Sequence, residues 1–271
     1  MRSRFLSELN YDDLTGYLAR GGKTALLPVG SVEMHGPHQP LGTDSLVAKA
    51  FALRLAEAGD GIVLPEIHYT WSGSTDGFAG TISVEPSLVQ QTAEAVALRA
   101  AQMGFRRLLV LSIHHGNDFP LYLFVRQIYE KHLIPAVYID AFRPLTDEAR
   151  ALFADEWDKG MEASVVLAAL QILGLGHLYT EAEMAYEDEP PPVSEALRKI
   201  GKVGVVGRCM QDPRHHACPS ALTSLERGLR FVEMQVQAIL PILPEIDRYR
   251  EDTAAQANKG WWYVGDLRNA T

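Results

Sequence analysis

Apolar and polar positions follow two alternating periods along the first half of the chain. Short aliphatic, β-branched runs at residues 24–29, 61–67, 107–113 and 135–139 read as buried strands. Between them, residues 45–58, 87–103 and 121–131 repeat apolar side chains every three or four positions, the pattern of amphipathic helices. Strands that alternate with helices need crossover connections. The pattern therefore predicts an α/β fold, a mostly parallel sheet flanked by helices on both faces. Ligands of such sheets collect beyond the C-terminal ends of the strands, so the residues that follow 24–29 and 107–113 are the ones to inspect for chemistry.

The second half is less regular. A helix is predicted over 161–172, with Val165, Val166, Ala169 and Leu170 on one face. Residues 187–192, three acidic positions followed by three prolines, read as an exposed loop, and 204–207 as a short strand. A long helical pattern over 220–242 is predicted to end at Pro244. Trp261, Trp262 and Tyr263 are expected to dock on the core or on a subunit interface, because adjacent aromatics are costly to leave in water. With no internal repeat and no low-complexity linker, 271 residues fit a single domain spanning 1–271.

Composition narrows the function. A hydrophobic share of 47%, 22% charged residues and a mean hydropathy of −0.05 describe an ordinary globular chain. The net charge of −9 argues against binding a phosphate backbone, so no nucleic-acid partner is expected. No apolar run reaches the roughly eighteen residues a membrane helix needs, and the first residues turn acidic before any signal-peptide core could form. Two cysteines, Cys209 and Cys218, cannot make a disulfide framework. A cytoplasmic address is the expectation.

Polar residues gather after the first strand, in Ser31-Val32-Glu33-Met34-His35-Gly36-Pro37-His38 and then Gly42-Thr43-Asp44. In an extended segment Glu33 and His35 point the same way. A carboxylate and an imidazole on one face, with another carboxylate close behind, suit a divalent transition metal. Asp44 also stands just before a helical pattern, where it could be an N-cap, and Glu33 with His35 could be a salt-bridged loop. The third strand runs directly into His114-His115-Gly116-Asn117-Asp118, at a strand's C-terminal end. Cys209, His215, His216 and Cys218 invite a zinc reading, but without a Cys-x-x-Cys turn a surface loop is the better one. His68, His132 and His177 stand alone and read as structural or exposed. No Gly-x-Ser-x-Gly elbow or Walker loop is present.

Residues 30–38, the Leu41-Gly42-Thr43-Asp44 that follows, and Gly80-Thr81-Ile82-Ser83 resemble the creatininase (creatinine amidohydrolase) family. Ser112-Ile113-His114-His115-Gly116-Asn117 is similar to that family's Asn-Gly-His-Gly-Gly-Asn segment in modified form. The likeness continues more weakly through Glu162-Ala163-Ser164 and Leu225-Glu226-Arg227-Gly228. The resemblance implies a creatininase-like fold, a hydrolytic site with two divalent ions (zinc, manganese or iron) and a homo-oligomer, a hexamer. Carried over by position, Glu33 and His114 would ligate one ion, His35 the other, and Asp44 would bridge them. Creatininase proper draws a glutamate from the place of Gly116; Glu162, which other members resemble here, is the expected fifth ligand and a catalytic residue. Metal-bound hydroxide would then attack a carbonyl of a small, polar, cyclic substrate and open an amide C–N bond.

The chain also departs from the family. Trp157 stands where an acid–base histidine is usual, so His115 becomes the expected proton donor, with Asp158 and Lys159 as other candidates. Gly80, Thr81 and Trp157 are the expected substrate-binding residues. Without that histidine, an alternative is ring C–C hydrolysis of a diketo-inositol, whose carbanion leaving group needs a weaker acid. A non-catalytic metal-binding scaffold is the rival, supported by Trp157, Ala163 and Ser112 in place of the usual residues.

Overall fold

Successive side chains of a strand point to opposite faces, and this sheet uses the alternation to build two cores. The structure, a computed structural model, describes residues 1–153, 157–188, 191–216 and 222–257. Its strands are β1 (Thr24–Pro28), β2 (Gly61–Val63), β3 (Arg107–Ser112) and β4 (Ala136–Asp140), all parallel, in the order β2-β1-β3-β4. The longer helices are α1 (Tyr11–Ala19), α2 (Thr43–Ala58), α3 (Pro86–Met103), α4 (Asp118–His132), α5 (Trp157–Ile172), α6 (Leu225–Ile239) and α7 (Ile242–Ala257). Leu26, Val63, Leu109 and Leu111 pack with Phe51 and Leu55 of α2, Val166 and Leu170 of α5 and Phe231 of α6. Their neighbours Ala25, Leu27, Ile62, Leu108 and Val110 pack with Tyr17 of α1, Val89 and Ala97 of α3 and Phe124 of α4. Strands covered on both faces read as continuous apolar runs, which is how they were legible in the sequence.

Local chemistry accounts for the boundaries. Asn10 and Asp13 form a reciprocal capping box that starts α1, a helix the periodicity did not predict. Pro86 opens α3, and Gly104, at φ 111°, closes it in the left-handed region. The strand predicted over 61–67 stops at Val63 because Pro65 has no N–H to donate, although Leu64 and Ile67 still bond to β1 carbonyls. The helix predicted over 220–242 ends at Ile239, and Pro241 explains the stop. Pro244 does not end that helix; it sits in the first turn of α7, where a missing N–H has no partner to lose. Residues 204–207 form no strand: nothing pairs with them among the described residues, and Val205 is fully exposed. Helix α5 starts at Trp157, before the predicted residue 161. Glu187 and Asp188 are exposed as expected, whereas 189–190 and Trp261 to Tyr263 lie outside the described residues. No described helix is long and apolar enough to cross a membrane.

Candidate metal centre

The chain leaves β1 through Gly30, where any side chain would collide with α2: a Cβ there would stand 2.3 Å from the Ser45 backbone. That close approach lays the loop 31–42 directly over the N-terminus of α2. The loop is braced from outside, since Thr81 Oγ1 accepts from the Met34 N–H at 3.0 Å and the Ile82 N–H donates to Val32 O at 2.9 Å. Gly80, at φ 93°, is exposed, and Thr81 braces this loop. Asp44 is not the N-cap. Gly42 occupies that position, α2 starts at Thr43, and Asp44 lies buried within the first turn. Its oxygens are turned to other partners, which is the physical reason it does not cap.

Four expected ligands converge here. His35 Nε2 stands 3.2 Å from Asp44 Oδ1. His114 Nδ1, delivered by the end of β3, stands 2.9 Å from Asp44 Oδ2 and 3.0 Å from Glu33 Oε1. Ser31 Oγ donates to Asp44 Oδ2 and Thr75 Oγ1 to Glu33 Oε2, both at 2.6 Å. Each imidazole is fixed from behind by a backbone carbonyl: His35 Nδ1 donates to Glu33 O at 3.1 Å, and His114 Nε2 to Trp71 O at 2.7 Å. A carbonyl only accepts, so these bonds place the ring protons outward and leave His35 Nε2 and His114 Nδ1 with lone pairs aimed at carboxylates. Gly116 makes the second bond possible, because a Cβ there would lie 2.4 Å from both His114 Nε2 and Trp71 O. This turn has no room for the glutamate that creatininase proper carries in that place.

Glu162, from α5, brings a carboxylate to the same centre, and its charge acts on His35. Its Oε1 is buried with no hydrogen-bond partner. A sixth group is His216, whose Nε2 lies 3.6 Å from Glu33 Oε1 and whose ring sits 4.3 Å from that of His35, centroid to centroid. Among the described residues, two triads could hold a cation, Glu33–Asp44–His114 and Glu33–His35–His216, each with ligand atoms within 4.8 Å of one another.

The electrostatics follow from crowding. Burial opposes ionisation of Glu33, yet His114, and His216 at longer range, hold its carboxyl at about 2. Burial likewise disfavours a charged His35, but Asp44, then Glu162 and Glu33, raise it to about 9. Asp44 is held well below the usual carboxylate range against its burial, chiefly by His35 and His114. His114 is raised well above a free histidine, again against burial, by Asp44 and Glu33. Nitrogen lone pairs facing carboxylate oxygens repel unless a cation lies between them, and here a proton fills that role. A divalent metal satisfies the same lone pairs, along with the orphaned oxygen of Glu162. The residues present therefore fit a metal centre.

The remaining expected residues fall elsewhere. His115 is exposed, and the structure gives it no contact with the cage; it lies near enough to the half-buried Asp140 to act on its carboxyl, which is pushed up mainly by burial. The side chains of Trp157, Asp158 and Lys159 lie outside the described residues. Cys209 is exposed and free, His215 Nε2 donates to Pro191 O at 2.8 Å, and Cys218 lies outside the described residues, so no four-residue zinc cluster is assembled among the described ones. His68 and His132 lie at partly exposed ion pairs and His177 is exposed, as expected. The residues the pattern missed are Thr75, Ser31 and His216. His216 stood out only within the zinc group set aside with Cys209, His215 and Cys218, with nothing in its spacing to link it to residue 33.

Fold and cage together define an α/β protein with a candidate divalent-metal centre at the C-terminal edge of its sheet. The creatininase profile, described as creatinine amidohydrolase, matches residues 7–239, and the chain belongs to that family. It is 31% identical to creatinine amidohydrolase of Pseudomonas putida over 122 residues, 43% of this chain and 47% of that protein. It is 36% identical to the mycofactocin precursor peptide peptidase of Mycolicibacterium smegmatis over 98 residues, 34% of this chain and 39% of that one. A third relative, 27% identical over 116 residues, is the 3-dehydro-scyllo-inosose hydrolase of Thermotoga maritima, matched over 42% of this chain and 37% of its own length. The chain thus spans about half, or less, of the length of the curated relatives it matches. In structure, a crystallised creatinine amidohydrolase superposes with a TM-score of 0.70 at 25% identity, over 91% of this chain and 99% of the other. Solved creatininases include a manganese form and a zinc–zinc form of a mutant.

Proposed function

We propose that this chain is a dinuclear metal-dependent hydrolase that opens an amide C–N bond in a small, polar, cyclic substrate. The observation that carries the reading is the pair of imidazoles, His35 and His114, each pinned by a carbonyl behind and facing carboxylates in front. Glu33 and His114 would hold one ion and His35 the other, with Asp44 bridging and Glu162 completing the set. Bound there, the metals lower the pKa of water toward neutrality and polarise a substrate carbonyl.

The protein's own groups do the rest. Ser31 and Thr75 fix the carboxylate rotamers by donating to Asp44 and Glu33. Glu162 keeps an oxygen free of protein partners in the buried centre, so it can take a proton from an incoming water or hold a ligand. His115, exposed at the strand end beside His114, supplies the proton to the leaving nitrogen. The likeness to the inosose hydrolase, with tryptophan at 157, supports C–C hydrolysis of an oxidised inositol as the second reading. A homo-oligomer, as a hexamer, belongs to the proposal and is tested by light scattering.

The experiment is elemental analysis of protein purified without chelators. About two metals per chain, falling toward one in Glu162→Gln, supports the reading; no metal after incubation with zinc or manganese overturns it in favour of a non-catalytic scaffold. Turnover of creatinine, a formamidopyrimidine, a short peptide and an oxidised inositol then separates the substrate classes.

A further inference from the structure

The segment before His216 belongs to the less regular half of the chain, yet it is fastened to the centre. The Met210 N–H donates to Ser74 O at 2.7 Å, next to Thr75, which itself holds Glu33. Asp212 caps the short turn that follows by accepting from the Arg214 N–H at 2.9 Å, and its carboxylate is paired with the Arg214 guanidinium. His215 is tied outward to Pro191 O. The next residue is thereby turned inward. His216 is mostly buried, at 17% side-chain exposure, against two groups already assigned to the centre.

We propose that His216 is an additional protein ligand of the ion assigned above to His35, with Glu33, which is common to both triads, reaching that ion as well as the one held with His114. The inference rests on the metal-centre reading above. Distance separates it from a hydrogen-bonding role. At 3.6 Å, Nε2 is too far from Glu33 Oε1 for a hydrogen bond. Two ligand atoms on one tetrahedral ion, each about 2.0–2.1 Å from it, stand about 3.4 Å apart. The spacing therefore suits two atoms that share a cation better than two that share a proton. The chemistry of the set agrees, since one carboxylate and two imidazoles make a mixed N/O site of the kind zinc and its neighbours in the series accept. The site also has a need: Gly116 contributes no ligand, and its turn has no room for one.

The test measures metal binding rather than turnover. Chelator competition and the visible spectrum of the cobalt-loaded protein are compared for the parent, His216→Ala and Cys209→Ser, with thermal melts of the metal-free forms as a check on folding. The expected result is that His216→Ala folds as the parent does, binds one equivalent at least about tenfold more weakly, and changes the cobalt absorption, while Cys209→Ser does neither. Parent affinity for both equivalents and an unchanged cobalt spectrum in His216→Ala would overturn the inference and leave the centre standing. A parent that binds no metal would instead remove the centre itself. An effect from Cys209→Ser equal to that of His216→Ala would also overturn it, because general loosening of the segment would then explain both.

Discussion

The two ends of the sheet both gather charge, and they do it differently. At the N-terminal end, Asp247 of α7 accepts from Lys23 at 2.6 Å and, through both oxygens, from Arg107 at 3.1 and 2.7 Å. Lys23, Arg107 and Asp247 are all paired there, and the long cationic side chains remain part-exposed. At the C-terminal end, carboxylates and imidazoles are buried with lone pairs converging, and Glu162 keeps an oxygen unpaired. The first arrangement is complete as it stands and contributes to stability. The second leaves Glu162 Oε1 without a partner, which a divalent cation would satisfy. Charge clustering alone does not mark a site; unsatisfied charge in a dry place does.

Substitutions can break that contrast, beginning with the largest effect. Asp44→Asn removes the bridging charge, so metal content should collapse and kcat/KM fall about 10³-fold or more, the equivalent of several kcal/mol of lost metal-ion stabilisation. Elemental analysis with a substrate assay checks it, and full metal content would contradict the bridging role. His115→Ala should lower kcat about 10²-fold while both metals stay, as expected of a lost proton donor. A fall in metal content there would move His115 into the cage. Gly116→Ala should weaken metal binding by about 10–100-fold, because its Cβ displaces His114 from the Trp71 carbonyl that orients it; calorimetric titration with zinc reads this directly.

The other end gives the smallest effect and the clearest sign. Arg107, with Lys23, holds the Asp247 carboxyl below its ordinary range, against partial burial. A carboxylate depressed in the folded state contributes stability above its unfolded pKa and loses it as pH falls through the folded one. Asp247→Asn should therefore cost about 1 kcal/mol or less at neutral pH and flatten the acid limb of a denaturation curve measured against pH. Metal content should stay at the parent value.

Most of the frame was legible because two-sided burial writes itself as apolar runs and amphipathic helices as a 3.6-residue period. The cage was half legible for a similar reason. Glu33, His35 and Asp44 lie close in sequence, and His114 follows a strand, so position along the chain reported position in space. Asp44 is not the cap because the helix starts earlier than its apolar period shows, with Gly42 at the cap two residues before it. His216 escaped because its place depends on bonds to Ser74 and Pro191 that no local pattern encodes. The strand expected at 204–207 failed because valines favour a sheet only when another strand is there to meet them.

The short separation of Glu33, His35 and Asp44 also bears on how the centre comes into being. Closing a loop costs more as it lengthens, by about 0.6 kcal/mol for each doubling. Those three groups are drawn together once β1 and α2 dock, whereas His114 and Glu162 must wait for contacts across much longer stretches of chain. On the metal-centre reading, a chain that has not yet brought in His114 and Glu162 would offer only a weak, incomplete chelate, and metal present during folding would favour the forms that already have it. Loading and folding would then be one sequence of events, with the ion's affinity rising stepwise as each later element arrives.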